Sequence, residues 1–231
     1  AAAGWDVGAR GLYGAPDIHV VVSDESHYTI FNALRLLGLG ADRVTRVPTD
    51  EQGRMRGDLL PEVLARSTGP CIVCVQAGNV NTGSFDPIAA IADAARARGA
   101  WLHVDGAFGL WAAASPARAS LVAGIARADS VASDAHKWLN VPYDCGLIFC
   151  AHPASHRAAM TVSIGLAQIG EFSFILISLA VEHHLLSKEH QGLLVACAIV
   201  SIMLNPLLFR SIVPLENWLR QRRRLWRALN Y

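Results

Sequence analysis

The chain has 231 residues and a mass of 24.8 kDa, with 52% hydrophobic and 17% charged residues and a mean hydropathy of +0.31. That is too apolar for an ordinary soluble domain and too charged for a pure membrane bundle. Its 20 basic and 19 acidic side chains nearly cancel, which excludes a global nucleic-acid footprint and a disordered acidic chain, and no glycine period or sustained heptad points to collagen or a coiled coil.

The average hides two unlike parts. Residues 1–160 carry 13 basic and 15 acidic side chains, whereas residues 161–231 carry 7 and 4, with no Asp. The opening AAAGWDVGAR has neither a basic start nor an apolar core, so no signal peptide is expected. The five cysteines are an odd number, and together these features predict a reducing compartment.

In chain order, IHVVV at 18–22 reads as a buried strand. Ile30, Ala33, Leu34 and Leu37 then recur at helical spacing, with Gly38 as the stop. Residues 59–66 repeat the helical pattern after Asp58. CIVCVQ at 71–76 is a continuous apolar strand; its Cys71 and Cys74 have a metal-site spacing but no second pair, so they read as small apolar strand residues. Asp86 and Pro87 predict an N-cap and a first-turn proline for a helix to about Arg98, closed by Gly99. WLHV at 101–104 is a strand delivering Asp105 at its end, and Ser130 to Ser133 is a short strand followed by SDAHKWLN.

Strands alternating with helices imply an α/β fold around a mainly parallel sheet. Ligands bind at the carboxyl edge of such sheets, where Asp105, His136 and Lys137 all fall. Lys137 is the only lysine among the first 160 residues. An amine condenses with carbonyl groups and a guanidinium does not, so Lys137 is either a Schiff-base lysine or a solvated residue after a strand.

Four segments, SDESHYTIFNALRLLGLG, QAGNVNTGSFDPI, WLHVDGAFGLW and SDAHKWLNVPYDCGLIF, resemble in order and spacing the pyridoxal-phosphate-dependent group II amino-acid decarboxylases. The resemblance covers about residues 1–162 and implies a partial large domain of the aspartate aminotransferase-like fold. It further implies pyridoxal 5'-phosphate as cofactor, an amino-acid substrate and a carboxy-lyase activity. Lys137 would hold the cofactor through its amine, Asp105 would keep the pyridine nitrogen protonated, and His27 would stack on the ring. His136 would donate to the phosphate, with Asp134 beside it. Asn79 and Thr82 would line the substrate side, although loop capping explains both nearly as well. Asp86 is a helix cap first and a cofactor support second. No metal is implied. The family's sites form at a dimer interface, so a homodimer is expected. Its glycine-rich phosphate segment would lie upstream of residue 1, and its small domain downstream.

Residues 164–181 and 192–213 are apolar stretches of about bilayer-spanning length, and the arginines from Arg220 to Arg227 follow the positive-inside pattern. Residues 163–231, through GLAQIGEFSFIL and SIMLNPLLF, resemble the last membrane helices of Kef-type cation/proton antiporters, with Gln168 and Glu171 as intramembrane polar groups. The expected organisation is therefore a cytoplasmic domain of residues 1–162 and a membrane-attached helix pair of residues 163–231. Three readings stand open: a decarboxylase fragment, an antiporter fragment, or a chimeric product with no activity of its own.

Overall fold

A computed structural model describes residues 3–141, 145–152 and 171–222. The chain divides into two compact units, Ala1–His152 and Pro153–Tyr231. The expected boundary at residue 162 lies outside the described residues, as does Gln168.

In the first unit a four-residue helix α1 (Val7–Arg10) precedes β1 (His19–Ser23), α2 (Tyr28–Leu36), β2 (Thr45–Val47) and α3 (Leu60–Ala65). There follow β3 (Cys71–Gln76), α4 (Ile88–Arg98), β4 (Trp101–Asp105), β5 (Ser130–Asp134), α5 (Ala135–Trp138) and β6 (Gly146–Cys150). The six strands form one sheet in the order β2-β1-β3-β4-β5-β6. The first five are mutually parallel, and β6 closes the edge antiparallel to β5. The predicted α/β class and parallel sheet are thus present.

Side-chain alternation along the strands divides the core into two faces. Val21, Val73, Val75, Leu102 and Val104 point to the face that α3 and α4 cover, where they meet Leu60, Leu64, Ile88, Ile91 and Ala95. Each fully buried Val, Leu or Ile contributes about 1.5–3 kcal/mol of transfer free energy there. On the other face Val20, Val22 and Cys74 pack against Leu34, Ile30 and Phe31 of α2. Cys71 and Cys74 fall in different clusters, because an interval of three in a strand points two side chains to opposite faces. Gly38, one residue past the C-cap of α2, and Gly99, the C-cap of α4, adopt left-handed conformations (φ 70° and 69°), as the stop signals predicted.

The expected cap at Asp86 is corrected. Its carboxylate makes no bond to the first turn of α4, whose N-cap is Pro87. Asp86 instead accepts the backbone N–H of Met55 and of Gln76, both at 2.7 Å. Those two donors are enclosed, and leaving them unpaired costs about 1–3 kcal/mol each. The first turn of α4, with Pro87 and Ala90 exposed, can be served by water.

The second unit holds α6 (Glu171–Glu182) and α7 (Lys188–Gln221). The helix expected at 192–213 does not end at Pro214; it runs through both Pro206 and Pro214 to Gln221. Of the other expected span, 164–170 lies outside the described residues. Among the described residues one helix, Glu189–Leu219, is long and apolar enough to cross a membrane, with a mean hydropathy of 2.3 over its most apolar window.

Candidate functional site

Four neighbouring strands end side by side at the carboxyl edge, and each leads into chemically capable residues. β1 runs into the turn bearing His27; β3 ends at Gln76 before Asn79; β4 ends at Asp105; β5 ends at Asp134, one turn before Lys137. A cleft of about 560 Å³ opens between α2 and this part of the sheet. His27, Asp105, Asp134 and Lys137 all line it, so the structure brings four of the sequence-selected residues into one space.

Asp105 is fixed by its backbone. It sits in register between Gln76 and Ala132, its carbonyl accepts the N–H of Ala77 at 2.8 Å, and its Oδ1 accepts the N–H of Ala107 at 3.0 Å. Lys137 Nζ lies 2.7 Å from Asp134 Oδ2 and 4.1 Å from the centre of the Phe108 ring. The short helix α5 creates the first contact, since an interval of three places the two side chains on one side of a turn. His27 is the N-cap residue of α2 and contacts Thr29 Oγ1 at 2.8 Å through Nδ1.

The remaining selected residues sit elsewhere. Asn79 is buried, and its side chain is engaged with backbone: Nδ2 donates to the Glu25 carbonyl and Oδ1 accepts from Asn81 and Thr82. Thr82 lines a separate cleft of about 740 Å³ with Glu25, Asp50 and Arg54. His136 does not line the first cleft; its Nδ1 accepts the Cys145 N–H at 3.1 Å.

Three residues that the sequence did not mark as site candidates belong to the cleft wall: Cys74, which read only as a small apolar strand residue, Gln76 and His103. His103 lies two positions before Asp105 on β4, and that strand period is the signal that could have found it. Its Nδ1 is 2.8 Å from Ser130 Oγ, to which Trp101 Nε1 also donates at 2.8 Å. Burial pushes His103 below the ordinary imidazole range, against the opposing pull of Asp105. Burial, aided by the Asp105 charge, pushes the Cys74 thiol up to about 12, so this cysteine is no nucleophile.

The loops after β3 and β4 meet backbone to backbone beside the cleft. Gly78 has φ +86°, and a Cβ there would lie 2.8 Å from the Gly109 nitrogen. A Cβ on Gly109 would lie 2.5 Å from Phe85 Cε1. Only glycine permits this approach.

Residues 11–165 match the pyridoxal-dependent decarboxylase conserved domain. The chain belongs to the pyridoxal-dependent decarboxylase family. Among similar proteins, cysteine sulfinic acid decarboxylase of Homo sapiens is 39% identical over 151 residues, covering 62% of this chain and 30% of that protein. Aromatic-L-amino-acid decarboxylase of Bacillus atrophaeus is 36% identical over 133 residues, covering 56% and 28%. The chain therefore spans under a third of the length of these decarboxylases. The fold agrees with solved members: mouse CSAD in apo form superposes with a TM-score of 0.59 at 39% identity, over 63% of this chain and 31% of that one. Oryza sativa TDC with PLP gives 0.54 at 30% identity, over 62% and 31%.

The donor set in the cleft fits the family's cofactor. A carboxylate suits a protonated ring nitrogen, a primary amine suits an aldehyde, and an imidazole at the rim can cover a ring face.

Proposed function

We propose that this chain binds pyridoxal 5'-phosphate in the cleft between α2 and the sheet and contributes to the decarboxylation of an amino acid. One observation carries the reading: His27, Asp105, Asp134 and Lys137 converge on a single cleft from the ends of three strands. In this proposal Asp105 holds the ring nitrogen in its protonated form, and Lys137 anchors the cofactor at its aldehyde. His27 covers the exposed ring face and keeps water from the reacting bond. Asp134 orients the Lys137 amine through the contact it already makes. His136 serves the phosphate end from the neighbouring turn, and Asn79 and Thr82 act through the loop between β3 and α4. When bound, the cofactor supplies an electron sink for the pair left on the α-carbon as carbon dioxide departs.

We further propose that two copies pair as a homodimer, with the first unit in the cytoplasm and α7 attaching the chain to a bilayer. The length of α7, its mean hydropathy and its many exposed apolar side chains support the attachment. The antiporter-like phrase of residues 163–231 rests on its sequence alone.

Titration of the purified chain with pyridoxal 5'-phosphate tests the central reading. A near-visible absorbance band that Lys137→Ala abolishes is the expected result. The same band in both proteins would overturn it.

A further inference from the structure

His27 stands at the rim of the cleft, yet it belongs to a turn, and a turn must be held in place for its side chain to keep a fixed position. Two buried amides do the holding. Gln76, at the end of β3, donates through Nε2 to the Glu25 carbonyl at 3.0 Å, and Asn79 donates through Nδ2 to the same oxygen, also at 3.0 Å. Gln76 is 7% exposed and Asn79 3%. Together they provide both hydrogen bonds that one carbonyl oxygen can accept. The contact bridges β1 and β3 at the point where the strand order reverses, with β2 on one side of β1 and β3 on the other.

From Glu25 the constraint reaches His27 in two residues. Ser26 Oγ accepts the Ser23 N–H at 3.0 Å and fixes the turn from the β1 side. The His27 carbonyl accepts the Ile30 N–H at 3.1 Å and starts α2. The imidazole is thus suspended between a strand end and a helix start, with Glu25 as the tied point between them.

We propose that Gln76 and Asn79 are positioning residues that set the place of the His27 ring over the cleft. This rests on the reading of His27 as the group that covers the bound cofactor. Asn79 has two separable duties. Its Oδ1 organises the following turn by accepting from Asn81 and Thr82 at 2.8 and 3.1 Å, and its Nδ2 ties Glu25. Asn79→Asp keeps the acceptor and removes the donor, and Gln76→Glu does the same at the strand end.

The experiment has two arms on the purified full chain. In the first, without cofactor, the histidine ring resonances are recorded by NMR and the His27 signal is assigned with His27→Gln. Asn79→Asp and Gln76→Glu are each expected to move the His27 signal and to leave that of His152, in the same unit, in place. An unmoved His27 signal in both variants overturns the proposal, and Gln76→Glu decides alone if Asn79→Asp fails to fold. In the second arm, affinity for pyridoxal 5'-phosphate is measured by absorbance. Loss of one such hydrogen bond predicts a fall of about three- to tenfold for Asn79→Asp, with no further fall when His27→Ala is already present. An equal fall in both backgrounds means the two residues act on something other than His27 and overturns the proposal. A chain that binds no cofactor at all defeats the proposed function, while the first arm still decides the positioning.

Discussion

The Lys137 ammonium lies 2.7 Å from the Asp134 carboxylate and directly over the Phe108 ring, so one amine is held by an ion pair and by an aromatic face. Both contacts need only a cation, whereas condensation with an aldehyde needs a primary amine. Lys137→Arg is therefore expected to fold with a melting temperature within a few degrees of the parent, since partly exposed pairs contribute about 1 kcal/mol or less. It is also expected to lose the cofactor absorbance band completely. Thermal unfolding and absorbance spectra on the same sample check both halves.

Asp86 is the most consequential polar group outside the cleft. Asp86→Ala orphans two enclosed N–H groups and is expected to cost about 2–5 kcal/mol in chemical denaturation; Asp86→Asn, which keeps one acceptor, should cost about half. Burial pushes the Asp86 carboxyl above its ordinary value, outweighing the Met55 and Gln76 amides that favour the charged form. Folding thus favours proton binding at Asp86 relative to the unfolded chain. Its contribution is full below the ordinary carboxylate range and declines as pH rises toward the folded value. The stability difference between the parent and Asp86→Asn should accordingly shrink from pH 4 to pH 7.

Two histidines carry the opposite sign. Burial depresses both His103 and His19, with the positive charge of Arg98 adding to the effect at His19. A base that folding keeps neutral contributes stability above its ordinary value and loses it as pH falls toward the lowered folded one. Unfolding free energy should fall between pH 7 and pH 5, and His103→Gln should flatten that slope. A slope unchanged in the variant would remove His103 as its source.

Gly109 and Gly83 make a matched pair for testing the approach of the two loops. Gly109→Ala drives a methyl group into Phe85 and the Ala77 carbonyl and should cost about 1–3 kcal/mol. Gly83→Ala meets nothing within 4 Å, only an unfavourable φ of +68°, and should cost about 1–2 kcal/mol. Only the first is expected to weaken cofactor binding as well.

If α7 enters a bilayer, membranes from expressing cells should retain the chain through an alkaline carbonate wash. Release into the supernatant would count against attachment.

What could be read from the sequence follows from how local each signal is. Asp105 and Lys137 were visible because a strand end followed by an uncommon residue type is a local pattern. The left-handed stops at Gly38 and Gly99 were visible for the same reason. Asp86 was misread because Asp-Pro before a helix is a strong local cap signal, while its real partners, Met55 and Gln76, are 31 and 10 residues away. Gln76 escaped in the same manner, and of Asn79 only the local loop capping of Asn81 and Thr82 could be read: their shared target, the Glu25 carbonyl, is a backbone atom more than 50 residues distant. His103 was hidden inside an apolar strand, although its period-two relation to Asp105 placed it on the cleft face. The apolar stretch read at 192–213 stops short of Pro214, but the helix continues through that proline to Gln221.

Gly78 in the cleft wall, with Gly109 packed directly against it, gives that wall a stretch that has no rotamers. Where side chains separate two loops, their spacing drifts whenever a residue is exchanged. Here the separation is the thickness of two peptide units, a length set by covalent and van der Waals radii. The wall can shift only if β3 slides against β4, and five registered pairs from Ile72↔Trp101 to Gln76↔Asp105 oppose that. The pocket around Asp105 is thus calibrated by the sheet's ladder, and substitutions in the surrounding loops can change its chemistry while leaving that dimension the same.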